Sequence, residues 1–491
     1  MGLLGNRVLR TEDPRFLTVG GTYVGDLRLE GMARVAYVRS TMAHARITGV
    51  DVTQAKAMPG VLAVVTAADI EHLPPAPSPY PGIVQPQFLR PLLAKDRVRF
   101  VGEAIAAVVA ETYEQAVDAV AEVVVDYDPL PVVVDLDAAL RDEVVLFDEA
   151  GTNTCTAMPN LMTADFSDCE VVVEQTVHNQ RVAVAPMEPR AYAALWDGNR
   201  LIIHASCQGV HQVRGQYEQV YGLPPEKIRV ITPDVGGGFG AKGFPLAEEL
   251  LLGELARQVQ RPVLYTETRT ENMLGMSHGR GQRQTVKIGG RRDGKITAYA
   301  IDIVQDAGAY PGIGSILPGA GFLMLTGTYG ITNVGFTSRS VVTNTTPVGA
   351  FRGAGRPEAT FAIERAIDLF AAEIGMDPAD VRRRNLLPPF DDGYTTATGT
   401  RYDSGRYGDA LERCLDAAGY AALREEQRAR RARGDRLQLG IGMSTYVEVT
   451  AMGGGEGTSE FGSVELRPDG SVLAKTGSLP HGQGHVTTWA M

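Results

Sequence analysis

Residues 234–243 read Asp-Val-Gly-Gly-Gly-Phe-Gly-Ala-Lys-Gly, with four glycines among the five positions from Gly236 to Gly240. Glycine loses more conformational freedom on folding than any other residue. A run this dense predicts backbone that approaches another group closely or takes positive φ. Read locally, the run imitates a dinucleotide site. Gly238, Gly240 and Gly243 fit G-x-G-x-x-G, the preceding KIRVITPDV reads as a strand, and 246–259 (LAEELLLGELARQV) reads as an apolar helix. PVLYTE then reads as a second strand ending in Glu267. In that reading a pyrophosphate sits on the helix N-terminus and a ribose on the acid. A plain tight turn packed against a helix explains the same residues equally well. A phosphate-binding G-x-x-x-x-G-K-[ST] loop is excluded, because Ala241 precedes Lys242 and Gly243 follows it.

Other residue types with metal chemistry are sparse. His481 and His485 stand four apart in HGQGH, but the glycines between them argue against a helical metal pair. The four cysteines, at 155, 169, 207 and 414, form no C-x-x-C. Neither a disulfide framework, a zinc site nor a complete iron–sulfur site is expected from this chain alone.

The elements that must position these residues are readable in part. Segments 33–38, 61–66 and 104–110 predict strands, and the spacing in 111–123 predicts a helix, so the first 145 or so residues form a mixed α/β unit. The polar stretch 150–165 reads as a linker. VVVEQTVHNQRVAVAP and AYAALW open a second block of alternating strands that runs through the glycine cluster to about 390. The charge-rich run 421–436 reads as a solvated helix. A third block starts with strands near 439–449 and 463–478, then reaches the HGQGH turn and a helix start.

The chain has 491 residues, 44% of them hydrophobic, and a net charge of −11. This balance argues against a general nucleic-acid binder. No run is apolar and long enough to span a bilayer, and MGLLGNRVLRTEDPRF lacks the apolar core of a signal peptide. Asn6 does not suit a myristoylation motif. A cytoplasmic protein without an integral membrane segment is expected.

Several further stretches occur together. They are RVLRTEDPRFLTVGGTYVGDLRLEGM, AHARI, VGEAIAAVVA, APMEPR, the Gln208 region, DVGGGFGAKG, TETRTENMLGMSHGR, DAGAY, GAFRGAGRPEATFAIER and HGQGHVTTWA. In this order, over essentially the whole chain, they resemble the molybdopterin-binding large subunits of the xanthine dehydrogenase and aldehyde oxidase family, including carbon-monoxide-dehydrogenase-like members. The resemblance implies an α+β fold. An α/β hammerhead-like domain would occupy 1–145, a first molybdopterin-binding domain 150–400, and the start of a second, truncated one 410–491.

The resemblance also assigns site residues. Backbone amides at Gly238, Phe239 and Gly240 would approach the metal's oxygen ligand, as donors aimed at an anionic centre do. Gln208 would hydrogen-bond a molybdenum ligand. Phe351, Arg352, Gly353 and Ala354 would form a second loop facing the metal, and Gly482, Gln483 and Gly484 would contact the phosphate or pterin. No side chain would bind molybdenum directly, since the pterin holds it.

Gly353 stands where copper-containing members have a cysteine, so the copper mechanism is not expected. Ala354 and Gly243 stand where purine oxidisers have phenylalanine and glutamate. Aldehydes or N-heterocycles remain as substrate classes. The implied cofactor is molybdenum–molybdopterin, in its plain or cytosine dinucleotide form.

The implied reaction is hydroxide attack on an electrophilic carbon with hydride transfer to Mo=S. Electrons would leave to 2Fe-2S and FAD groups on a small and a medium partner subunit, in a dimer of heterotrimers. The family's base glutamate would lie beyond Met491, so no catalytic residue is expected within the chain, and its activity alone is left open. The alternatives are a non-catalytic truncated scaffold subunit and an NAD-dependent oxidoreductase.

Overall fold

The computed structural model describes residues 5–80, 82–449 and 460–491. Its largest sheet has seven strands in the order Ile228–Ile231, Arg200–Ala205, Ala191–Asp197, Val263–Thr266, Ala33–Arg39, Ala104–Ala110 and Val61–Thr66. Two distant stretches of sequence share it. The parallel pairing of Ala33–Val35 with Val263–Tyr265 joins the three N-terminal strands to the four later ones. Ala104–Ala110 (AIAAVVA) is buried at every position. A run of small and β-branched apolar residues without alternation suits a strand covered on both faces. The helix Tyr113–Ala121 packs on one side, started by a capping box in which Thr112 and Gln115 exchange hydrogen bonds. On the other, the helices Val210–Tyr221 and Leu252–Val259 bury Val213, Tyr217 and Leu255 against Tyr37, Leu201 and Ile203.

A second sheet runs Thr154–Met162, Val334–Val342, Ile296–Gly308, Gln282–Gly290 and Val171–Asn179. The long helix Arg356–Glu373 covers it through Ala362, Ile363, Ala366 and Phe370. The expected linker at 150–165 is corrected here, because Thr154–Met162 is an edge strand antiparallel to Val334–Val342. Its pattern is weak for a physical reason. The register shifts near Pro159 and Asn160, and Asn160 takes φ +49°. Proline is tolerated on an edge, and the bulge breaks the alternation that would announce a strand.

The expected strand at 439–449 is also corrected. Those residues form no ladder. Side chains hold them instead: Gln427 Nε2 donates to the Leu439 carbonyl at 2.9 Å and Arg382 Nη2 to the Met443 carbonyl at 3.2 Å. The charge-rich run does form a helix, Tyr420–Arg433, with Gln427 its one buried residue. Gly462–Leu466 and Val472–Thr476 form a hairpin around Pro468-Asp469-Gly470. The helix His485–Ala490 then docks on the N-terminal segment, where Thr11 N–H donates to Thr487 Oγ1 at 2.8 Å. Among the described residues no helix is long and apolar enough to cross a membrane.

Candidate functional site

Arg200–Ala205 and Ile228–Ile231 are parallel and in register, His204 beside Ile231. Both strands therefore release their chains at the same edge of the sheet. One leads to Gln208 and the other to the glycine loop. Gln208 Oε1 accepts the amide hydrogens of Gly240 at 2.8 Å and Lys242 at 3.2 Å, while Gln208 N–H donates to the Lys242 carbonyl at 3.0 Å. The density of glycines follows from these approaches. A Cβ at Gly238 would lie 2.5 Å from Gln208 Cδ, and one at Gly240, where φ is +101°, would lie 2.7 Å from the Ala350 oxygen. Phe239 is a non-glycine residue at φ +53°, held in a conformation that costs of order 1 kcal/mol or more. The residue is 38% exposed, with the Arg352 guanidinium 5.8 Å from its ring centroid.

Behind the loop lies a buried ion pair. Lys242 Nζ donates to Glu188 Oε2 at 3.0 Å, to the Glu188 carbonyl at 2.8 Å and to Ser206 Oγ at 2.9 Å. Glu188 Oε2 also accepts the Gly236 amide hydrogen at 2.8 Å. Burial pushes the Lys242 pKa below its ordinary value, and Glu188 opposes the shift. Sequence reasoning missed both roles. A lysine directly after a glycine run was the available signal, and it does not by itself say that the ammonium turns inward.

The second loop precedes the helix Arg356–Glu373. Arg352 N–H donates to the Phe239 carbonyl at 2.9 Å, which locks the two loops together. Arg280 holds the second loop from beneath, donating to the carbonyls of Phe351 at 2.8 Å and Arg352 at 2.7 Å with its guanidinium 4.9 Å from the Phe351 ring centroid. Glu358 pairs with Arg280 at 3.4 Å and accepts the Gly355 amide hydrogen at 2.9 Å. Burial raises the Glu358 pKa, with Arg280 opposing. Gly353 takes φ +95° and Ala354 φ +38°.

The third predicted segment is joined more thinly. His481 Nε2 lies 3.5 Å from Gln208 Nε2, the outer limit of a hydrogen bond. Burial lowers the His481 pKa. Gly482 and Gln483 are exposed, and Gly484 lies beside Arg10. The structure therefore gathers Gln208, Gly238, Phe239, Gly240 and the Phe351–Ala354 turn, and among the described residues it reaches the HGQGH turn through His481. Among the described residues, no three or more His, Cys, Asp or Glu side chains are grouped to hold a metal ion.

A cavity of about 140 Å³ opens between the loops, lined by Gly240 and Ala241 from one and by Gly349 and Ala350 from the segment leading to the other. Pro77, Leu89, Phe244 and Ile313 make its walls mainly apolar, and among the described residues no carboxylate or histidine lines it.

The dinucleotide reading does not survive this geometry. Two strands separate Ile228–Ile231 from Val263–Thr266 in the sheet. The first helix after the glycines starts at Ala247, and the Leu246 N–H before it is taken by Glu249 Oε2 at 2.6 Å. Glu267, the expected ribose ligand, is buried in a salt bridge with Arg190.

Comparison with known proteins is consistent along the chain. Residues 18–131 match the aldehyde oxidase and xanthine dehydrogenase a/b hammerhead domain, and 146–386 and 413–491 each match a molybdopterin cofactor-binding domain. The carbon monoxide dehydrogenase large chain of Afipia carboxidovorans is 35% identical over 523 residues, covering 99% of this chain and 64% of that one. The nicotine 6-hydroxylase large subunit of Paenarthrobacter nicotinovorans is 34% identical, covering 99% and 62%. The crystal structure of quinoline 2-oxidoreductase from Pseudomonas putida 86 superposes with a TM-score of 0.93 at 35% identity, over 100% of this chain and 64% of that one. The chain thus spans somewhat less than two thirds of the length of these relatives.

Proposed function

The chain belongs to the xanthine dehydrogenase and aldehyde oxidase family of molybdopterin-binding large subunits, and from that premise we propose that it is the cofactor-binding subunit of a molybdenum hydroxylase that oxidises an aldehyde or an N-heterocycle. The observation that carries this reading is the junction of Gln208, Gly240 and Arg352, where two glycine-rich loops meet beside the apolar cavity.

The donor set fits the cofactor. Close backbone at Gly238 and Gly240, the neutral Gln208 carboxamide and the cationic Arg352 suit an anionic, oxygen-rich group. When bound, the cofactor supplies oxygen-transfer and two-electron redox chemistry that no side chain here can supply. The chain's own residues bind and orient. Gln208 spends its oxygen on the loop, and its remaining donor is the NH₂ group, 3.5 Å from His481 Nε2. Lys242 and Glu188 fix the loop from behind, and Arg280 and Glu358 fix the second loop. Gly353 offers no thiolate, so copper has no part in this reading. Electrons leave through iron–sulfur and flavin groups on partner chains.

The test uses protein purified from its own host with bound partners, given a panel of aldehydes and N-heterocycles, an electron-accepting dye and oxygen-18 water. Oxidising an aldehyde to its acid consumes one water and releases two electrons and two protons. Dye reduction with label in the product is expected. Turnover without label overturns the reading.

A further inference from the structure

The walls of the cavity are mainly apolar, yet Arg90 and Gln216 are among the residues that line it. The Arg90 side chain is 10% exposed. Among the described residues its guanidinium has one hydrogen-bond partner, Glu248 Oε1, 3.3 Å from Nη2. Its Nε is enclosed and unpartnered. The Phe100 and Tyr310 rings flank it, their centroids at 5.3 and 6.0 Å.

The one partner is shared. The same Glu248 Oε1 accepts from Arg39 Nη1 at 2.9 Å. A second nearby carboxyl, Glu103, is engaged by the Tyr310 hydroxyl at 2.6 Å, and burial pushes its pKa up. One carboxylate oxygen therefore serves two guanidiniums. Arg39 has a second carboxylate in Glu271, 2.9 Å from its Nε, whereas most of the Arg90 N–H groups are left without a partner among the described residues.

Gln216, on the helix Val210–Tyr221, lines the same cavity and is 5% exposed. Among the described residues its carboxamide has no hydrogen-bond partner, which is unusual for a buried polar group. The hydroxyls of Ser78 and Tyr310 are already committed, to the Tyr80 carbonyl and to Glu103. Ser277, beside Gly349, adds only a short hydroxyl near the loops.

Size narrows the ligand further. At about 140 Å³ the space is close to that of an apolar cavity that takes a single benzene, about 150 Å³. The geometry points to a monocyclic aromatic or heteroaromatic carboxylate as the ligand of this cavity, its ring between the apolar walls and its carboxylate on Arg90 and Gln216. This rests on the molybdenum hydroxylase function proposed above and takes the cavity beside the loop junction as its substrate pocket.

The experiment is equilibrium binding of pyridine-3-carboxylate and of 3-methylpyridine to the protein with its bound partners. In the unaltered protein the carboxylate is expected to bind about tenfold tighter or more, the usual worth of a charge-assisted hydrogen bond in a shielded site. The preference is expected to collapse to about twofold or less in Arg90→Met, to shrink in Gln216→Leu, and to persist in part in Arg90→Lys. Equal binding of the two probes to the unaltered protein overturns the inference without any variant. So does a preference unchanged in a folded Arg90→Met protein. The two readings fail separately. Protein that carries molybdenum but shows no carboxylate preference overturns this inference alone. Protein that lacks molybdenum but keeps the preference supports it and overturns the function proposed above.

Discussion

The carbonyl oxygen of Phe239 accepts the amide hydrogen of Arg352 at 2.9 Å. This bond ties the first glycine-rich loop to the second, two segments that reach the site from different sheets. Each loop is therefore held at its own base and also by the other. Disturbing either one should be felt at both.

Gly240→Val tests the junction itself. The new side chain meets the Ala350 carbonyl at a backbone φ of +101°. A cost of about 2 kcal/mol or more is expected from the strain and the clash together. Melting should shift down and bound molybdenum should fall several-fold. An unchanged cofactor content would mean that the close approach is incidental.

Gln208→Leu removes the acceptor for the Gly240 and Lys242 amides. Leaving one of these buried donors unsatisfied costs about 1–3 kcal/mol. Gln208→Glu keeps the acceptor and removes the NH₂ donor. Stability is expected to return in the glutamate variant while cofactor loading does not. Loading restored to the original level would show that the NH₂ has no part in binding.

Lys242 and Glu188 should behave as one unit. Lys242→Met leaves the mostly buried Glu188 carboxylate without its cation, a loss of about 3–5 kcal/mol for buried pairs. Adding Glu188→Gln should cost less than the sum of the two single changes. Thermal midpoints of the three variants decide the matter. Additive losses would contradict a coupled pair.

Glu249 gives a pH dependence. Burial pushes its carboxyl up to about 7 from an ordinary 4.5, with Arg190 opposing and Glu248 and Glu267 adding. A carboxyl whose pKa is raised on folding contributes stability that is complete below its unfolded value, about 4.5, and is lost as pH rises through about 7. Glu249→Gln should remove this term. The melting midpoint of the unaltered protein should fall relative to the variant's between about pH 5 and pH 8. Parallel profiles would contradict the assignment.

Much of the fold is legible in the sequence because its signals are local. Ala104–Ala110 announces a fully buried strand by an unbroken apolar run, and Thr112 and Gln115 announce the helix that follows. Thr154–Met162 is illegible because its partner lies far along the chain and Pro159 interrupts its pattern. Residues 439–449 carry strand-like residues, but side chains from two helices take up their backbone groups. At the site, the glycines from Gly236 to Gly240 declare that something comes close without saying what. The answer, Gln208 on one side and Ala350 on the other, is a tertiary fact. Arg90, Gln216 and Glu188 have no local signature. They matter because burial removes their alternatives, and burial is decided by the whole fold.

The central claim is that the junction of the two loops holds a molybdenum cofactor. The most direct measurement is molybdenum per chain, by elemental mass spectrometry, on protein purified from its own host with its bound partners. About one molybdenum per chain is predicted, as expected for one resident cofactor. Molybdenum at background level, with partners still bound and the host's other molybdenum enzymes loaded, would contradict it.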